Sequence, residues 1–204
     1  MNFIPKFLEE NAFSYEGYRA FMQNLIEGKA GELQNQYKDL IDPISRNEKL
    51  MTRLENHVTL NPSLTNLVSQ NAPNWTWLVI VEPWCGDVGQ NLPVMKAISD
   101  LSENISLQLI LRDQHPGVMK NYTTRGAWSI PVLICLSREN SLTETGSWGP
   151  RPEPVQKIMD KHKKEQDPPE KREVIKQIQL WYENDDQRTI QKELESKIQE
   201  WAGI

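Results

Sequence analysis

The sequence predicts an α/β protein in which a central mixed sheet is flanked by helices. Three short apolar runs, at residues 77–81, 106–111 and 131–136, lack polar alternation and therefore indicate strands that are covered on both faces. Residues 92–101 carry apolar side chains at helical spacing between the first two runs. This strand–helix–strand unit predicts a right-handed parallel crossover. A polar turn after the third run leads into residues 142–148, which predicts an antiparallel hairpin.

Helical segments extend this core at both ends. We expect residues 1–74 to form an N-terminal helical extension packed on the core, residues 75–165 to form the core itself, and residues 166–204 to form a C-terminal helical extension. Ser63 or Thr65 is the expected cap of a short helix that ends near residue 70. The helices are indicated by apolar stripes at Phe13, Tyr18, Phe21, Met22 and Leu25, at Leu50, Met51, Leu54 and Val58, at Ile175, Ile178, Trp181 and Tyr182, and at Leu194, Ile198 and Trp201.

The C-terminal tail is rich in charge, and Asp167-Pro168-Pro169 is expected to divide it into separate helices. Its apolar stripes favour amphipathic helices that pack on the core and keep one face in solvent. The alternative is a face that docks a partner. The side chains that we expect to be mostly buried are Val79, Ile80, Leu109, Ile110, Leu133, Cys135 and Trp181.

Composition and charge argue against several classes of function. The net charge of −5 disfavours nucleic acid as a partner, because phosphates call for a basic patch. No run approaches the roughly 18 apolar residues needed to cross a bilayer, and the first ten residues lack the apolar segment of a signal peptide. Two cysteines do not make a disulfide framework, so we expect a cytoplasmic protein with no membrane partner. Three widely separated histidines and the lack of nucleotide-binding motifs predict no metal and no cofactor.

The segment that carries chemistry surrounds Cys85, which leaves the end of a predicted strand and enters the first turn of a predicted helix. Unsatisfied backbone N–H groups and the positive end of the helix dipole stabilise a thiolate at such a position. The carboxyl ends of strands in open α/β sheets are also where these folds bind ligands. A single cysteine is otherwise most often a small buried apolar residue, so both interpretations stay open at this point.

Four sequence features together resemble the thioredoxin family over about residues 75–165. Trp84-Cys85-Gly86 looks like the family's active-site turn, and Pro93 falls where thioredoxins kink the following helix. Residues 129–133 resemble the cis-proline loop, and Gly146 matches a recurring glycine near the end of the hairpin. The turn is most similar to that of bacterial relatives that read Trp-Cys-Gly-Asp.

The resemblance implies a thioredoxin-like fold with Cys85 as the nucleophile. It implies that Trp84, Gly86, Asp87 and Val88 form the rest of the active-site turn. It further implies a cis peptide bond that faces the cysteine, and a substrate chain held by a second segment. That second segment consists of Ile130 and Pro131, with Trp128 beside it.

The sequence departs from the family pattern at three positions. Val88 stands where the resolving cysteine of a Cys-x-x-Cys motif would be, and Asp87 replaces the proline before it. Val79 stands where many thioredoxins have a buried acid that assists proton transfer. Cys135 cannot replace the missing thiol, because four strand residues place it ~13 Å from Pro131, whereas a disulfide needs Cα atoms within about 7 Å. We expect Cys135 in the core.

The polar and aromatic residues near Cys85 each allow two interpretations. The Asp87 carboxylate could favour the first helical turn, or it could serve as a proton acceptor for a thiol substrate. Its charge would raise the pKa of Cys85 and oppose the helix dipole, so the direction of the net shift stays open. Arg125 could hold an anionic thiol or be a solvated loop residue. Trp84, Trp128 and Trp148 could wall an apolar groove around the thiol or be ordinary packing residues.

Two functions follow from this pattern. The first is monothiol thiol–disulfide chemistry, in which Cys85 forms a mixed disulfide with a protein or a low-molecular-weight thiol and an external thiol resolves it. The second is a non-catalytic binding or adaptor module that has kept the groove and lost redox chemistry. The loss of functional groups at Val79 and Val88 favours the second, whereas the retained Cys85 turn and the Ile130-Pro131 segment favour the first. The oligomeric state does not follow from the sequence.

Overall fold

The computed structural model describes residues 3–139, 141–164 and 170–204. The predicted break at Asp167-Pro168-Pro169 lies outside the described residues. The α-helices are α1 Phe3–Asn11, α2 Tyr15–Ile26, α3 Gln34–Tyr37, α4 Ile41–Glu55, α5 Pro62–Asn71, α6 Gly86–Ser99, α7 Pro116–Met119, α8 Glu153–Lys164, α9 Lys171–Asp185 and α10 Arg188–Ala202. The strands are β1 Trp75–Val81, β2 Ile105–Leu111, β3 Val132–Ser137 and β4 Thr143–Trp148.

The four strands form one mixed sheet in the order β2-β1-β3-β4. Strand β1 pairs in parallel with β2 and antiparallel with β3, so that Val79 lies opposite both Leu109 and Leu133. The first and third apolar runs therefore form the interior of the sheet, where β1 and β3 are buried along their whole length, and the second run forms the edge strand β2. The predicted α/β class, the parallel crossover through α6 and the direction of β3 are confirmed.

The hairpin from β3 to β4 is also confirmed, but β4 differs from the other strands. Only Trp148 at its end is buried, while Gly146 and its other residues face outward or are half-buried. Ser141 and Leu142 before it adopt left-handed φ values of 54° and 60°, and a register shift between Cys135 and Leu136 follows in the ladder. This edge strand is covered by α10.

The N-terminal helices pack against the core through α2 and α4. Helix α4 lies on both α2 and α6, and α2 also contacts β2. Tyr18, Met22, Leu25 and Met51 are buried there, as their spacing predicts. The expected cap of α5 at Ser63 or Thr65 is wrong, because Asn61 accepts the Leu64 N–H at 2.7 Å and Pro62 takes the first helical position.

The short segment before α2 closes one edge of the sheet. The Phe13 N–H donates to the Leu109 carbonyl at 2.8 Å, and the Leu109 N–H donates back to the Phe13 carbonyl at 2.9 Å. This antiparallel bridge engages β2 on the side away from β1. Among the described residues, no helix is both long and apolar enough to cross a membrane.

The two C-terminal helices pack differently. Leu194, Ile198 and Trp201 of α10 are buried, which confirms their predicted stripe. Helix α9 packs mainly against α8, and Trp181 is half-buried, so it is less enclosed than the other side chains of that prediction. The other side chains predicted to be mostly buried are confirmed at 5% exposure or less: Val79, Ile80, Leu109, Ile110, Leu133 and Cys135.

Candidate active site

The turn between β1 and α6 places Cys85 at the N-terminus of α6. Cys85 is the N-cap residue, with extended φ and ψ of −80° and 117°, and its own N–H donates to the Glu82 carbonyl at 3.1 Å. Its thiol donates to the Ile130 carbonyl, with 3.4 Å between Sγ and the oxygen. The Ile130–Pro131 peptide bond is cis, which confirms that prediction. Two segments that are 45 residues apart in sequence therefore meet at one sulfur atom.

The surroundings of Cys85 favour the neutral thiol. Burial first, and then the charge of Asp87, raise the pKa of Cys85 to about 12. Hydrogen bonds from the N–H groups of Val88 and Asp87 and the charge of Arg151 act in the opposite direction without reversing the shift. The helix N-terminus thus stabilises the thiolate as expected, but desolvation outweighs it. Cys85 as a residue is half-buried, so the turn itself is partly open to solvent.

Asp87 is held by three hydrogen bonds from outside its own helix. Arg151, between β4 and α8, donates from Nη2 at 2.7 Å and from Nε at 2.9 Å to one carboxylate oxygen. The Tyr182 hydroxyl of α9 donates to the other oxygen at 2.9 Å. Asp87 and Arg151 are both largely buried, with side chains 15% and 11% exposed. Asp87 therefore joins α6 to α9 and to the segment between β4 and α8.

The aromatic residues divide between the site and the packing. Arg112 lies over the Trp84 ring, with its guanidinium carbon 4.9 Å from the ring centroid, and donates to the Trp128 carbonyl at 3.1 Å. Trp128 is 42% exposed, and Trp84 is half-buried. Trp148 instead packs away in the core and donates from Nε1 to Glu193 of α10 at 2.8 Å. Trp84 and Trp128 thus wall one side of the turn, and Trp148 does not.

Arg112 is a site residue that the sequence interpretation missed. Burial lowers its pKa, but the hydrogen bond and charge of Asp113 raise it overall, and the charges of Glu82 and Cys85 add to that rise. The guanidinium is therefore within electrostatic range of the thiol. Arg125, which we singled out instead, pairs with Asp160 of α8. The proximity of Arg112 to the turn could have been predicted from the parallel pairing of β1 and β2. Arg112 directly follows the end of β2, which lies next to the end of β1.

Glu82 is a second missed residue. It is fully buried and accepts from the Tyr37 hydroxyl at 2.8 Å on one oxygen and from the Asp113 N–H at 2.9 Å on the other. Burial is the main cause that raises its pKa, against the lowering effect of both hydrogen bonds. The predicted family position for a buried acid holds the apolar Val79, and the buried carboxyl of this chain stands three residues later. The signal that could have identified Glu82 is its position directly after an uninterrupted apolar strand.

Replacing Glu82 with glutamine should make stability less dependent on pH. Because its pKa is raised, the folded protein holds the Glu82 proton more tightly than the unfolded chain does. Folding therefore becomes less favourable as the pH rises from the ordinary value of about 4.3 through the raised one. A glutamine side chain at this position can still accept from the Asp113 N–H and can donate to Tyr37. Urea unfolding between pH 4 and pH 8 should show Glu82→Gln gaining stability relative to wild type as the pH rises.

The control is Glu103→Gln, since Glu103 is exposed on the loop before β2. Its stability difference from wild type should be the same at each pH. A Glu82→Gln difference that is equally flat would contradict the assignment of a protonation change to Glu82.

The remaining predicted site residues have distinct positions. Gly86 is exposed at the first position of α6, whereas Val88 is buried where a resolving thiol would be. The preceding turn is held by α4, because the buried Asn47 donates to the Pro83 carbonyl at 2.8 Å. Both cysteines are free, and Cys135 lies within the sheet opposite Trp77. In the described part of the chain, no three His, Cys, Asp or Glu side chains form a group that could hold a metal ion.

Sequence comparison decides the family. A family model described as thioredoxin matches residues 34–166, which is 133 of the 204 residues. The chain belongs to the thioredoxin family. The match begins well before β1 and therefore includes α3 and α4, which supply Tyr37 and Asn47 to the turn of this thioredoxin-family protein.

One solved structure agrees on the fold. A protein of unknown function from Pseudomonas aeruginosa is similar at 18% identity and a TM-score of 0.54, over 92% of this chain and 98% of that one. An HIV epitope scaffold matches at 20% identity and a TM-score of 0.46, over 71% of this chain and 81% of that one. No curated protein matches the sequence.

Proposed function

We propose that this thioredoxin-family protein carries out thiol–disulfide exchange through Cys85 alone. The observation that carries the proposal is the 3.4 Å approach of the Cys85 sulfur to the Ile130 carbonyl beside the cis-proline. A peptide that pairs with this backbone would bring its own sulfur to the thiol. The exposed Trp128 and the half-buried Trp84 offer an apolar surface for the flanking residues of such a substrate.

The reaction would proceed in two balanced steps. The Cys85 thiolate attacks one sulfur of a substrate disulfide, so that one S–S bond forms while the other breaks and the leaving thiolate takes up a proton. A small external thiol of the glutathione class then attacks the mixed disulfide and restores Cys85. The net result of these two steps is exchange: one substrate sulfur leaves as a thiol, and the other remains disulfide-bonded to the external thiol. A second equivalent of the external thiol then releases that sulfur as a thiol and leaves as the oxidised external disulfide. Val88 leaves no neighbouring cysteine to compete in the second step.

The cellular compartment for this chemistry would be the reducing bacterial cytoplasm. Both cysteines are free, in keeping with a compartment that keeps thiols reduced. The partners would be proteins or low-molecular-weight thiols and disulfides, with neither nucleic acid nor a membrane involved.

The raised pKa of Cys85 favours a second candidate function, a binding module without redox turnover. A thiol with a pKa of about 12 is almost fully protonated at neutral pH, and the thiolate is the reactive form. In this alternative, a partner segment binds against Trp84, Trp128 and Ile130, and Cys85 contributes only a hydrogen bond.

Labelling with iodoacetamide against pH, in a Cys135→Ala background, separates the two functions. We expect Cys85 to react more slowly than free cysteine at pH 7, and its rate to keep rising above pH 9, where free cysteine levels off. Incubation with glutathione disulfide should give a single adduct that dithiothreitol removes. Failure to form any adduct up to pH 10 would exclude thiol–disulfide exchange and favour the binding module. The Cys85→Ser variant is the negative control.

The same assay tests the influence of Asp87. Asp87→Asn removes the adjacent negative charge and leaves the Arg151 charge in place, so the pKa of Cys85 should fall. We expect alkylation at pH 7 to accelerate about threefold or more, since each pKa unit changes the thiolate fraction about tenfold. Asp100→Asn at the opposite end of α6 is the matched control and should leave the rate unchanged. Equal rates in both variants would refute the electrostatic role of Asp87.

A further inference from the structure

Arg112 lies at the two aromatic residues that wall one side of the Cys85 turn. Its guanidinium carbon is 4.9 Å from the centroid of the Trp84 ring, and Nη1 donates to the Trp128 carbonyl at 3.1 Å. Nε donates to the Asp113 carboxylate at 2.7 Å. Three contacts therefore fix the guanidinium in place, and such preorganisation lowers the entropy that an arginine loses when it binds a further group.

These contacts leave part of the guanidinium unused. An arginine side chain carries more N–H donors than the two that Trp128 and Asp113 engage. The Nη2 atom of Arg112 has no hydrogen-bond partner in the described part of the chain, and it is not shielded from solvent. The side chain as a whole is 18% exposed. Arg112 can therefore donate to a group that comes from outside the protein.

The unused donors are within one residue's reach of the reacting sulfur. Trp128 accepts from Arg112, and Ile130, two residues later, accepts from the thiol at 3.4 Å. Two extended residues span about 7 Å, so the carbonyl carbons of these two acceptors are no further apart than that. The charge of Cys85 also contributes to the raised pKa of Arg112, in keeping with this proximity. A side chain next to a substrate sulfur can bridge such a distance.

The nearby carboxylates leave this guanidinium available for an anion. Asp87 is paired with Arg151 at 2.7 Å. Burial raises the pKa of Glu82 and thereby favours its uncharged form. Among the described residues, Asp113 is the one carboxylate bonded to Arg112, and it reaches only Nε. A fixed, partly buried guanidinium with open donors favours a carboxylate over a neutral or cationic group, because both charge and geometry match.

We propose that Arg112 selects substrates that carry a carboxylate beside the reacting sulfur. The carboxylate would accept from Nη2 while the Cys85 thiolate attacks the sulfur. One S–S bond then forms and one breaks, and the leaving thiolate takes up a proton. The inference rests on the proposed exchange reaction and names its substrate class, which is an acidic residue next to a cysteine in a protein, or a small thiol acid.

Rates of mixed-disulfide formation at pH 8 in the Cys135→Ala background test this selectivity. The probes are the symmetric disulfides dithiodipropionate, 2-hydroxyethyl disulfide and cystamine, whose equally long arms end in a carboxylate, a hydroxyl and an ammonium group. Each rate is divided by the rate of 2-mercaptoethanol with the same disulfide, which removes intrinsic differences in reactivity. We expect the normalised rate for dithiodipropionate to exceed that for 2-hydroxyethyl disulfide about fivefold. A preference for cystamine would overturn the proposal.

A peptide pair distinguishes the two sources of the carboxylate. Its members are the symmetric disulfides of the capped tripeptides Glu-Cys-Gly and Gln-Cys-Gly, with rates normalised in the same way. A preference for the Glu peptide alone would assign the site to protein substrates, and a preference for dithiodipropionate alone would assign it to small thiol acids. Either result supports the proposal, whereas no preference in either pair overturns it.

Two variants locate the selectivity. Arg112→Gln should remove the preference for the carboxylate, whatever its absolute rate, because the ratio of two substrates is unaffected by a general loss of activity. Arg125→Gln is the matched control, since Arg125 is also basic, lies on the loop before Trp128 and pairs with Asp160. Its preference should equal that of the parent protein. Equal losses of preference in both variants would mean unspecific attraction to positive charge and would overturn the proposal.

A Cys85→Ser variant of the Cys135→Ala protein separates this inference from the proposed exchange, because it cannot form a mixed disulfide. In ¹⁵N–¹H spectra, dithiodipropionate should shift the indole N–H signals of Trp84 and Trp128 at concentrations about fivefold lower than 2-hydroxyethyl disulfide does. Such shifts, together with no adduct on Cys85 from any disulfide, would contradict the exchange reaction and support the carboxylate site. Equal shifts by both compounds would contradict the carboxylate site and leave the exchange reaction standing.

Discussion

Replacing Gly149 with alanine is expected to destabilise the native state by about 3 kcal/mol or more. Gly149 has a φ of 128°, a conformation that residues with a side chain rarely adopt. A Cβ atom at this position would lie 2.3 Å from the Pro131 carbonyl oxygen. Because that oxygen belongs to the backbone, no side-chain rotation relieves the overlap, and either segment must shift. Urea unfolding monitored by tryptophan fluorescence measures the loss, which is a large share of typical domain stability.

Gly117→Ala is the matched control for this prediction. Gly117 lies in α7, would have no atom within 4 Å of an added Cβ and does not have positive φ. Alanine there should be neutral or slightly stabilising, by up to about 1 kcal/mol. A Gly149→Ala variant within about 0.5 kcal/mol of wild type, the range of an ordinary surface substitution, would contradict the close packing against Pro131.

The second large loss of stability is expected at Gly146, against which the indole of Trp201 packs. A Cβ atom on Gly146 would lie 2.1 Å from Trp201 Nε1, while the same indole packs edge-on against Trp75 at a centroid distance of 6.3 Å. Gly146 does not have positive φ, so the cost of a side chain there is steric alone. Gly146→Ala should displace Trp201 and weaken the docking of α10, at a cost comparable to the about 3–5 kcal/mol of Trp201→Ala.

A double-mutant cycle measures whether the two residues act through each other. Once Trp201 is replaced by alanine, the three atoms nearest to a methyl group at position 146 are gone. Gly146→Ala should then cost less than about 1 kcal/mol, which is within the range of an exposed strand substitution. Additive losses in the double variant would show that Gly146 acts through something other than the Trp201 indole.

The sheet was predictable because its signal is local and continuous. Residues of β1 and β3 are almost all apolar and are buried along the whole strand, and such runs have few alternatives to buried strands. Strand β4 was harder, since most of it faces outward and its burial comes from Trp201, more than 50 residues away. Trp181 differs in another way: its stripe is helical, but no spacing rule tells that α9 packs mainly against α8, which leaves Trp181 half-buried.

The candidate site was predictable only where its residues are contiguous. The turn around Cys85 and the Ile130-Pro131 segment follow from short motifs, and they meet as expected. The groups that hold the Asp87 carboxylate beside the thiol come from distant positions. Tyr182 is 95 residues from the Asp87 that it binds, and Arg151 is 64 residues away. Burial of the thiol outweighs the helix N-terminus. Because burial depends on how distant segments pack, the direction of the Cys85 pKa shift could not be predicted from the turn alone.

The bridge from Phe13 to Leu109 bears on how the protein avoids self-association. An open edge strand offers its backbone to any similar strand, and β2 has β1 on one side only. Two hydrogen bonds from a single residue occupy the middle of that edge, and the chain then turns directly into α2. A protein that lacks residues 1–13 would present this edge bare, and it should form sheet-to-sheet aggregates at concentrations where the full chain stays dispersed.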